Sequence, residues 1–211
     1  MKLGLFALAP LALVACNAAE DTGEAPCVPM HAVFTDIDET LTTSDGEWMA
    51  QLGDPTHDPE ERDQAAEMMQ AYADLGYTVF YVTARGEDLA LQDGRTAREA
   101  TMDWLVAHSF PVTEEQVFLA SGYGASGDAA VAYKSAVLDE KAAAGWALDY
   151  AYGNADSDIL AFQASGVADE DIFLVGELAG TMGVQPITDA DAFAAHMAAH
   201  MGGVPAVSCP E

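Results

Sequence analysis

The chain has 211 residues, 51% of them hydrophobic, which is typical of a folded domain with an apolar core. Its 35 acidic and 7 basic side chains give a formal net charge of −28, so there are too few Lys and Arg residues to neutralise a nucleic-acid backbone. This length accommodates one domain, and the acidity favours a strongly solvated surface, with a cation-rich partner as the alternative.

The first 15 residues have the pattern of an export signal. A short apolar stretch, too short for a permanent membrane helix, leads through small residues to Cys16. The tetrad LVAC (13–16) resembles the lipobox of bacterial lipoproteins, whose cysteine is lipidated. We therefore expect a lipoprotein of the bacterial cell envelope, held on a membrane surface, with a signal peptide at 1–15 and a polar tether at 16–29. An ordinary secretory signal with an incidental cysteine is the alternative.

Two further cysteines, Cys27 and Cys209, lie near the two ends of the remaining chain. Free thiols are a liability in the oxidising compartment that export implies. We therefore expect a Cys27–Cys209 disulfide that ties the ends of the domain together.

Between these cysteines the chain alternates between strand and helix patterns. Short apolar runs predict buried strands at 31–36, 77–83, 116–121, 148–154 and 171–177. Helical patterns fall at 59–75, 87–107, 129–144, 156–165 and 189–201. Alternation of this kind predicts an α/β fold with a doubly wound parallel sheet, which forms a single domain over residues 30–211.

Polar residues follow three of the predicted strands. They are Asp36 and Asp38 after the first strand, Thr83 and Arg85 at the end of the second, and Asn154, Asp156 and Asp158 after the fourth. Because the carboxyl ends of parallel strands share one edge of a sheet, these residues are expected to meet in one crevice, where ligands bind such folds.

This set resembles the haloacid dehalogenase superfamily of phosphohydrolases. DIDET (36–40) matches its first motif, Thr83 its second, Lys134 its third, and GNADSD (153–158) its fourth. The resemblance covers about residues 30 to 185 and implies a Rossmann-like fold. The segment between the first two motifs is too short for a large cap domain.

The resemblance implies a reaction through an aspartyl-phosphate. Asp36 is then the nucleophile and Asp38 the general acid and base, while Thr83 and Lys134 hold the phosphoryl oxygens. Mg²⁺, which prefers oxygen ligands, is then held by the Asp36 carboxylate, the Asp38 backbone carbonyl and Asn154, with Asp158 bound directly or through water.

The sequence leaves two roles open for several polar residues. Arg85 either binds a substrate group or pairs with a carboxylate. Thr40 either supports the site or begins the next turn, and Asp156 is an N-cap or a first-turn acid. His196 and His200, spaced i,i+4, either share a metal or lie on a helix surface, and no third ligand is apparent.

Within the superfamily, the chain is most similar to the catalytic domain of lipins, the Mg²⁺-dependent phosphatidate phosphatases. DIDETLTTSDGE (36–47) and the run 152–180 are similar to their first and fourth motifs. Glu39 departs from the pattern, because lipins carry Gly there, and a DxDET start is instead similar to secreted bacterial acid phosphatases. We expect a phosphomonoesterase that acts on phosphatidate or a related phospholipid. The alternatives are a broad-specificity periplasmic acid phosphatase and a non-catalytic lipid-phosphate sensor.

Overall fold

The computed structural model describes residues 29–187 and 193–209, which form a parallel sheet covered by helices on both faces. Its strands are β1 (His31–Thr35), β2 (Thr78–Gly86), β3 (Val117–Ala120), β4 (Ala147–Gly153), β5 (Ile172–Val175) and β6 (Gln185–Ile187). The strand order is β3-β2-β1-β4-β5-β6, and every neighbouring pair is parallel. The predicted doubly wound α/β fold is confirmed.

The helices divide between the two faces of the sheet. They are α1 (Gly46–Gly53), α2 (Ala65–Asp74), α3 (Ala97–Ala107), α4 (Asp128–Ala143), α5 (Asp156–Ala164) and α6 (Phe193–His200). Buried residues of α1, α2, α3 and α6 form one apolar cluster, and those of α4 and α5 form the other. In β1, Val33 belongs to the first cluster, whereas Ala32 and Phe34 belong to the second. Because helices cover both faces of the sheet, β1 is apolar at successive positions rather than at alternate ones.

Helices α2 and α3 begin later than the sequence pattern predicts. Helix α3 begins at Ala97 because the Thr96 hydroxyl accepts a hydrogen bond from the Glu99 N–H, while the Glu99 carboxylate accepts one from the Thr96 N–H. This reciprocal capping box satisfies donors that a helix leaves unpaired at its start. Residues 87–96 therefore form turns rather than the first part of a helix.

Two elements, α1 and β6, were not predicted. Helix α1 has only 8 residues, and β6 has only 3, with Pro186 at its centre. Proline removes a hydrogen-bond donor, so it is tolerated in a strand at the edge of a sheet, which is where β6 lies. Between β1 and β2, the only helices are α1 and α2, so this segment holds no large cap domain, as expected.

Two predictions concern the chain ends. Cys16 and Cys27 lie outside the described residues, so lipidation and the Cys27–Cys209 disulfide stay predictions. Within the described residues, no helix has the length and apolar character needed to cross a bilayer.

The two histidines of α6 form part of a hydrogen-bonded network with two tyrosines. His200 Nε2 lies 2.8 Å from the Tyr72 hydroxyl, and His196 Nε2 lies 3.0 Å from the Tyr152 hydroxyl. The two hydroxyls are 2.8 Å apart, and the imidazole rings stack with centroids 5.0 Å apart. These histidines therefore fasten α6 to α2 and β4, a role that neither earlier interpretation included.

This network predicts a loss of stability in mild acid. Burial lowers the pKa of His196 to about 4, helped by the neighbouring His200, and burial also lowers the pKa of His200. Unfolded histidine has a pKa of about 6.5. The unfolded chain therefore binds more protons in this range, and stability falls as the pH decreases from about 6.5 towards 4.

The test is the melting temperature measured between pH 7.5 and 4.5 for the wild type and for His196→Phe. The wild type should lose more stability over this range than the variant, because carboxylates contribute equally to both proteins. Parallel curves would show that His196 does not carry the acid sensitivity.

Candidate functional site

The predicted convergence of polar residues is present at the carboxyl edge of the sheet. Asp36 directly follows β1, and its N–H donates to the Tyr152 carbonyl of β4 at 2.9 Å, so the strand pairing continues into the site. Asn154 follows β4, and Thr83 and Arg85 lie within the last four residues of β2. Asp38, Lys134 and Asp158 complete the group.

Lys134 of α4 bridges two of the aspartates. Its ammonium group lies 2.7 Å from Asp36 Oδ1 and 2.5 Å from Asp158 Oδ1, and all three side chains are buried. Burial lowers the pKa of Lys134, but the charges of Asp158 and Asp36 and their hydrogen bonds outweigh it, so the pKa lies above its ordinary value. Lys134 is therefore a fixed positive charge in the site.

The carboxylate of Asp36 is held on both oxygens. Oδ1 contacts Lys134, and Oδ2 lies 3.3 Å from the hydroxyl of Thr40, which therefore supports the site. Burial raises the pKa of Asp36 to about 7; the nearby Asp158 and Asp38 add to this effect, and Lys134 opposes it. Burial thus works against the ionised form of this carboxylate, and a bound divalent cation would favour the ionised form.

Asp158 is fully buried and accepts hydrogen bonds on both oxygens. Besides Lys134 on Oδ1, its Oδ2 accepts from the N–H groups of Asn154 at 3.1 Å and Ala155 at 3.0 Å. A Cβ at Gly153 would lie 2.5 Å from the Cβ of Asp158, so this close approach requires glycine. Asp158 holds the turn after β4 and the ammonium of Lys134, which favours an indirect role at a metal over a direct one. Asp156, the first residue of α5, is the first-turn acid.

Asp38 is held by β2. Arg85 donates to it from Nη2 at 2.8 Å and from Nε at 3.0 Å, and the Thr83 hydroxyl donates at 3.0 Å. Arg85 therefore pairs with a carboxylate, one of the two roles considered for it. Its guanidinium also donates to the Thr101 hydroxyl at 2.9 Å and lies 4.4 Å from the ring centroid of Trp48.

Sequence reasoning missed three residues that hold the site in place. Trp48 and Thr101 fix Arg85, as described above. Arg62, which is buried, donates to backbone carbonyls of the turn after β1, including those of Glu39 at 2.8 Å and Thr40 at 3.1 Å. Arg62 could have been found, because it is one of only 7 basic residues in the chain and it lies within a short acidic run, 58–63. Trp48 and Thr101 carry no such signal.

The oxygen atoms near Asp36 fit a hard cation. Asp36 Oδ2 and Asn154 Oδ1 both lie 3.3 Å from the Thr40 hydroxyl, so an acidic and an amide oxygen converge. The described residues contain no ready-made cluster of three His, Cys, Asp or Glu side chains for a metal. A set of one carboxylate, one amide and backbone oxygen, completed by water, suits Mg²⁺, which keeps several waters.

These residues line an open cleft of about 760 Å³. Five aspartates and two basic residues face it, so an anionic phosphate ester is repelled unless a cation is also bound. Apolar side chains also line this cleft, and together we call them its apolar wall: Trp48, Met49, Leu52, Leu89 and Tyr123. The loop between β3 and α4, which contains Tyr123, packs directly against β2. A Cβ at Gly86 of β2 would lie only 2.1 Å from the backbone of Tyr123.

The fold and the cleft define a Rossmann-like α/β domain with an acidic, lysine-bridged site at its strand ends. Comparison with known families narrows this class. The family model described as "PITM 1-3, LNS2 domain" matches residues 33–176, and the chain therefore belongs to this lipin-type (Lipin/Ned1/Smp2) domain family.

Two individual proteins are also similar. Protein retinal degeneration B of Drosophila melanogaster is 26% identical over 169 residues, which cover 79% of this chain and 12% of that protein. The chain thus spans a small part of that relative's length. The solved structure of DsGPDH of Dunaliella salina has a TM-score of 0.46 and 18% identity, over 73% of this chain and 24% of that chain.

The bridging lysine can be tested by Lys134→Met, which keeps the length and apolar stem of the side chain. The variant leaves Asp36 and Asp158 buried without their cation, and it should lose about 3–5 kcal/mol of stability in Mg²⁺-free buffer at pH 7. Denaturant unfolding measures this loss.

The matched control is Lys141→Met on the same helix. Lys141 contacts the exposed carboxylate of Glu140 at 3.4 Å, an interaction expected to contribute less than about 1 kcal/mol. Equal losses in the two variants would contradict a special role for the buried bridge.

Proposed function

We propose that this protein is a Mg²⁺-dependent phosphomonoesterase of the haloacid dehalogenase superfamily, which acts on phosphatidate or a related phospholipid through an aspartyl-phosphate on Asp36. The position of Asp36 carries the proposal. Its buried carboxylate lines an open cleft and contacts the ammonium of Lys134, and the charge of Asp38 is near enough to raise its pKa. Membership of a lipin-type domain family supports the same class of activity.

Mg²⁺ fits this site through the Asp36 carboxylate, the Asp38 backbone carbonyl and Asn154, with Asp158 acting through Lys134 and through water. When bound, it neutralises charge on the transferring phosphoryl group. The buried Lys134 supplies a positive charge of its own beside Asp36. Together they offset the repulsion between an anionic ester and an acidic cleft.

In the first step, an Asp36 oxygen attacks phosphorus, and the bond from phosphorus to the alcohol oxygen breaks. Asp38 enters this step in its protonated form and gives that proton to the departing alcohol oxygen. The alcohol leaves neutral, and Asp36 carries the phosphoryl group. Lys134 stabilises the phosphoryl oxygens. Thr83 and Arg85, whose hydrogen bonds hold the Asp38 carboxylate in place, orient it for this transfer.

In the second step, water attacks the phosphorus of the aspartyl-phosphate. Asp38, now ionised, takes a proton from this water, and the bond between phosphorus and the Asp36 oxygen breaks. Inorganic phosphate leaves, and Asp36 regains its carboxylate while Asp38 regains its proton. The cycle consumes one water and needs no other reactant.

The apolar wall of the cleft favours a lipid ester over a small soluble one. Met49 is 65% exposed and Tyr123 is 83% exposed at the mouth, with Trp48 and Leu52 behind them. A glyceryl group gains little from such a wall, whereas an acyl chain buries apolar surface against it, at about 25 cal/mol per Å². The absence of a large cap between β1 and β2 leaves room for a bulky substrate.

Two alternatives remain distinct from this proposal. A broad-specificity acid phosphatase shares the same catalytic residues, and Glu39 in the first motif favours it. A lipid-phosphate sensor needs only binding, and the presence of Asp38 beside the nucleophile argues against it, because binding alone does not require a general acid. We further propose that Cys16 carries a lipid in a bacterial envelope, which holds the cleft near a membrane surface despite the acidic charge.

Asp36→Asn should abolish turnover, because it removes the nucleophile while changing the side-chain volume very little. Asp38→Asn should keep metal binding through its backbone carbonyl and lose turnover steeply. Phosphate release by purified protein, with and without Mg²⁺, measures both effects. Steady-state release by pure Asp36→Asn protein would exclude the covalent mechanism.

The substrate preference predicts faster hydrolysis of micellar phosphatidate than of glycerol phosphate or nucleotides at matched Mg²⁺. Met49→Glu should raise the KM for phosphatidate about tenfold, which corresponds to about 1.4 kcal/mol, and leave glycerol phosphate hydrolysis nearly unchanged.

The control for this experiment is Val106→Glu. Val106 lies on α3, outside the cleft, and is 62% exposed, similar to Met49. The substitution to Glu therefore adds the same charge away from the cleft. Val106→Glu should change neither the hydrolysis of phosphatidate nor that of glycerol phosphate. Faster hydrolysis of the soluble esters by the wild type would favour the acid-phosphatase alternative instead.

A further inference from the structure

Glu39 adopts a backbone conformation that residues other than glycine rarely adopt. Its φ is +59°, in the left-handed region, within the turn that follows β1. Two contacts hold this turn: the Glu39 carbonyl accepts from Arg62 Nη2 at 2.8 Å, and its N–H donates to the Thr42 hydroxyl at 3.0 Å. Glycine would take this conformation without strain, so the side chain has to be explained by its own contacts.

The side chain of Glu39 reaches across to the turn after β4. Its Oε2 accepts a hydrogen bond from Asn154 Nδ2 at 3.1 Å. A carboxylate can only accept, so it selects the NH₂ side of the Asn154 amide. The amide oxygen must then face the other way, where it lies 3.3 Å from the Thr40 hydroxyl.

The same hydroxyl lies 3.3 Å from Asp36 Oδ2. The contact with Glu39 therefore keeps the oxygen of Asn154 on the side of the Thr40 hydroxyl, which Asp36 Oδ2 also contacts. If the amide were turned over, an NH₂ group would face the site, and it cannot bind a cation. One hydrogen bond thus decides whether Asn154 presents a ligand or a donor.

We propose that Glu39 is a positioning residue, which fixes the amide orientation of Asn154 so that its oxygen serves the cation beside Asp36. This role rests on the proposed Mg²⁺ site, and Glu39 itself contacts neither substrate nor cation. Glu39 acts on the cleft through Asn154, which lines it. The described residues contain three other non-glycine residues with positive φ, which are Gln64, Ser109 and Met182.

The experiment measures binding of Mn²⁺, as a paramagnetic substitute for Mg²⁺, to the full chain without substrate, by electron paramagnetic resonance and by calorimetry. Loss of a partner that orients a metal ligand typically weakens affinity by about 10- to 100-fold. Glu39→Gly removes the acceptor and relieves the backbone, so it should bind Mn²⁺ about tenfold more weakly while its melting temperature stays level or rises. Glu39→Gln keeps an acceptor oxygen and should lie between Glu39→Gly and the wild type.

Ser109→Gly is the matched control, because Ser109 has a φ of +64° at the end of α3 and lies outside the cleft. It relieves a similar strain and should leave Mn²⁺ affinity unchanged. Equal affinity of the wild type and Glu39→Gly would overturn the role of Glu39 and leave the metal site standing. A wild type that binds no Mn²⁺ would overturn both the metal site and this role, whereas failure of lipid hydrolysis alone would affect only the proposed substrate.

Discussion

Two like charges, Asp36 and Asp158, are buried together at the edge of the sheet, and the ammonium of Lys134 holds them there. Repulsion between neighbouring carboxylates in a poorly solvated place is severe, so the arrangement depends on this cation. Lys134 reaches the site from α4, which packs against β2, β3 and β4 and against α5. The strand order serves the site, because β1 and β4 are neighbours. Asp36 directly follows β1, and Asp158 lies in the first turn of α5, the helix that follows β4.

The rest of the site consists of residues that restrain other residues. Arg85 and Thr83 hold Asp38, Trp48 and Thr101 hold Arg85, and Arg62 holds the carbonyls of the first turn. Nearly every basic side chain near the cleft is thus committed to an acidic or carbonyl partner. An acidic cleft with few free positive charges suits a substrate that arrives with a divalent cation, and its apolar wall suits a substrate with an apolar tail.

Much of the fold was predictable from local patterns. The five predicted strands all appear, because a run such as 31–36, apolar on both faces, has few alternatives to a buried parallel strand. Helix starts were less predictable: α3 begins ten residues later than the pattern favours, where the Thr96 and Glu99 side chains exchange hydrogen bonds. The short elements α1 and β6 were not predicted from the sequence, because their few residues gain stability mainly from packing on the sheet.

The sequence by itself determined which residues gather at the sheet edge, since chain order and strand polarity place Asp36, Thr83 and Asn154 together in any doubly wound domain. Only the tertiary structure decided what each one contacts. Distances of a few ångströms between distant segments decide whether Arg85 binds a substrate or a carboxylate. They also decide whether His196 binds a metal or a tyrosine. Residue type and spacing along the chain carry no information on such distances, because hydrogen bonds across the fold form only after the sheet and helices have packed.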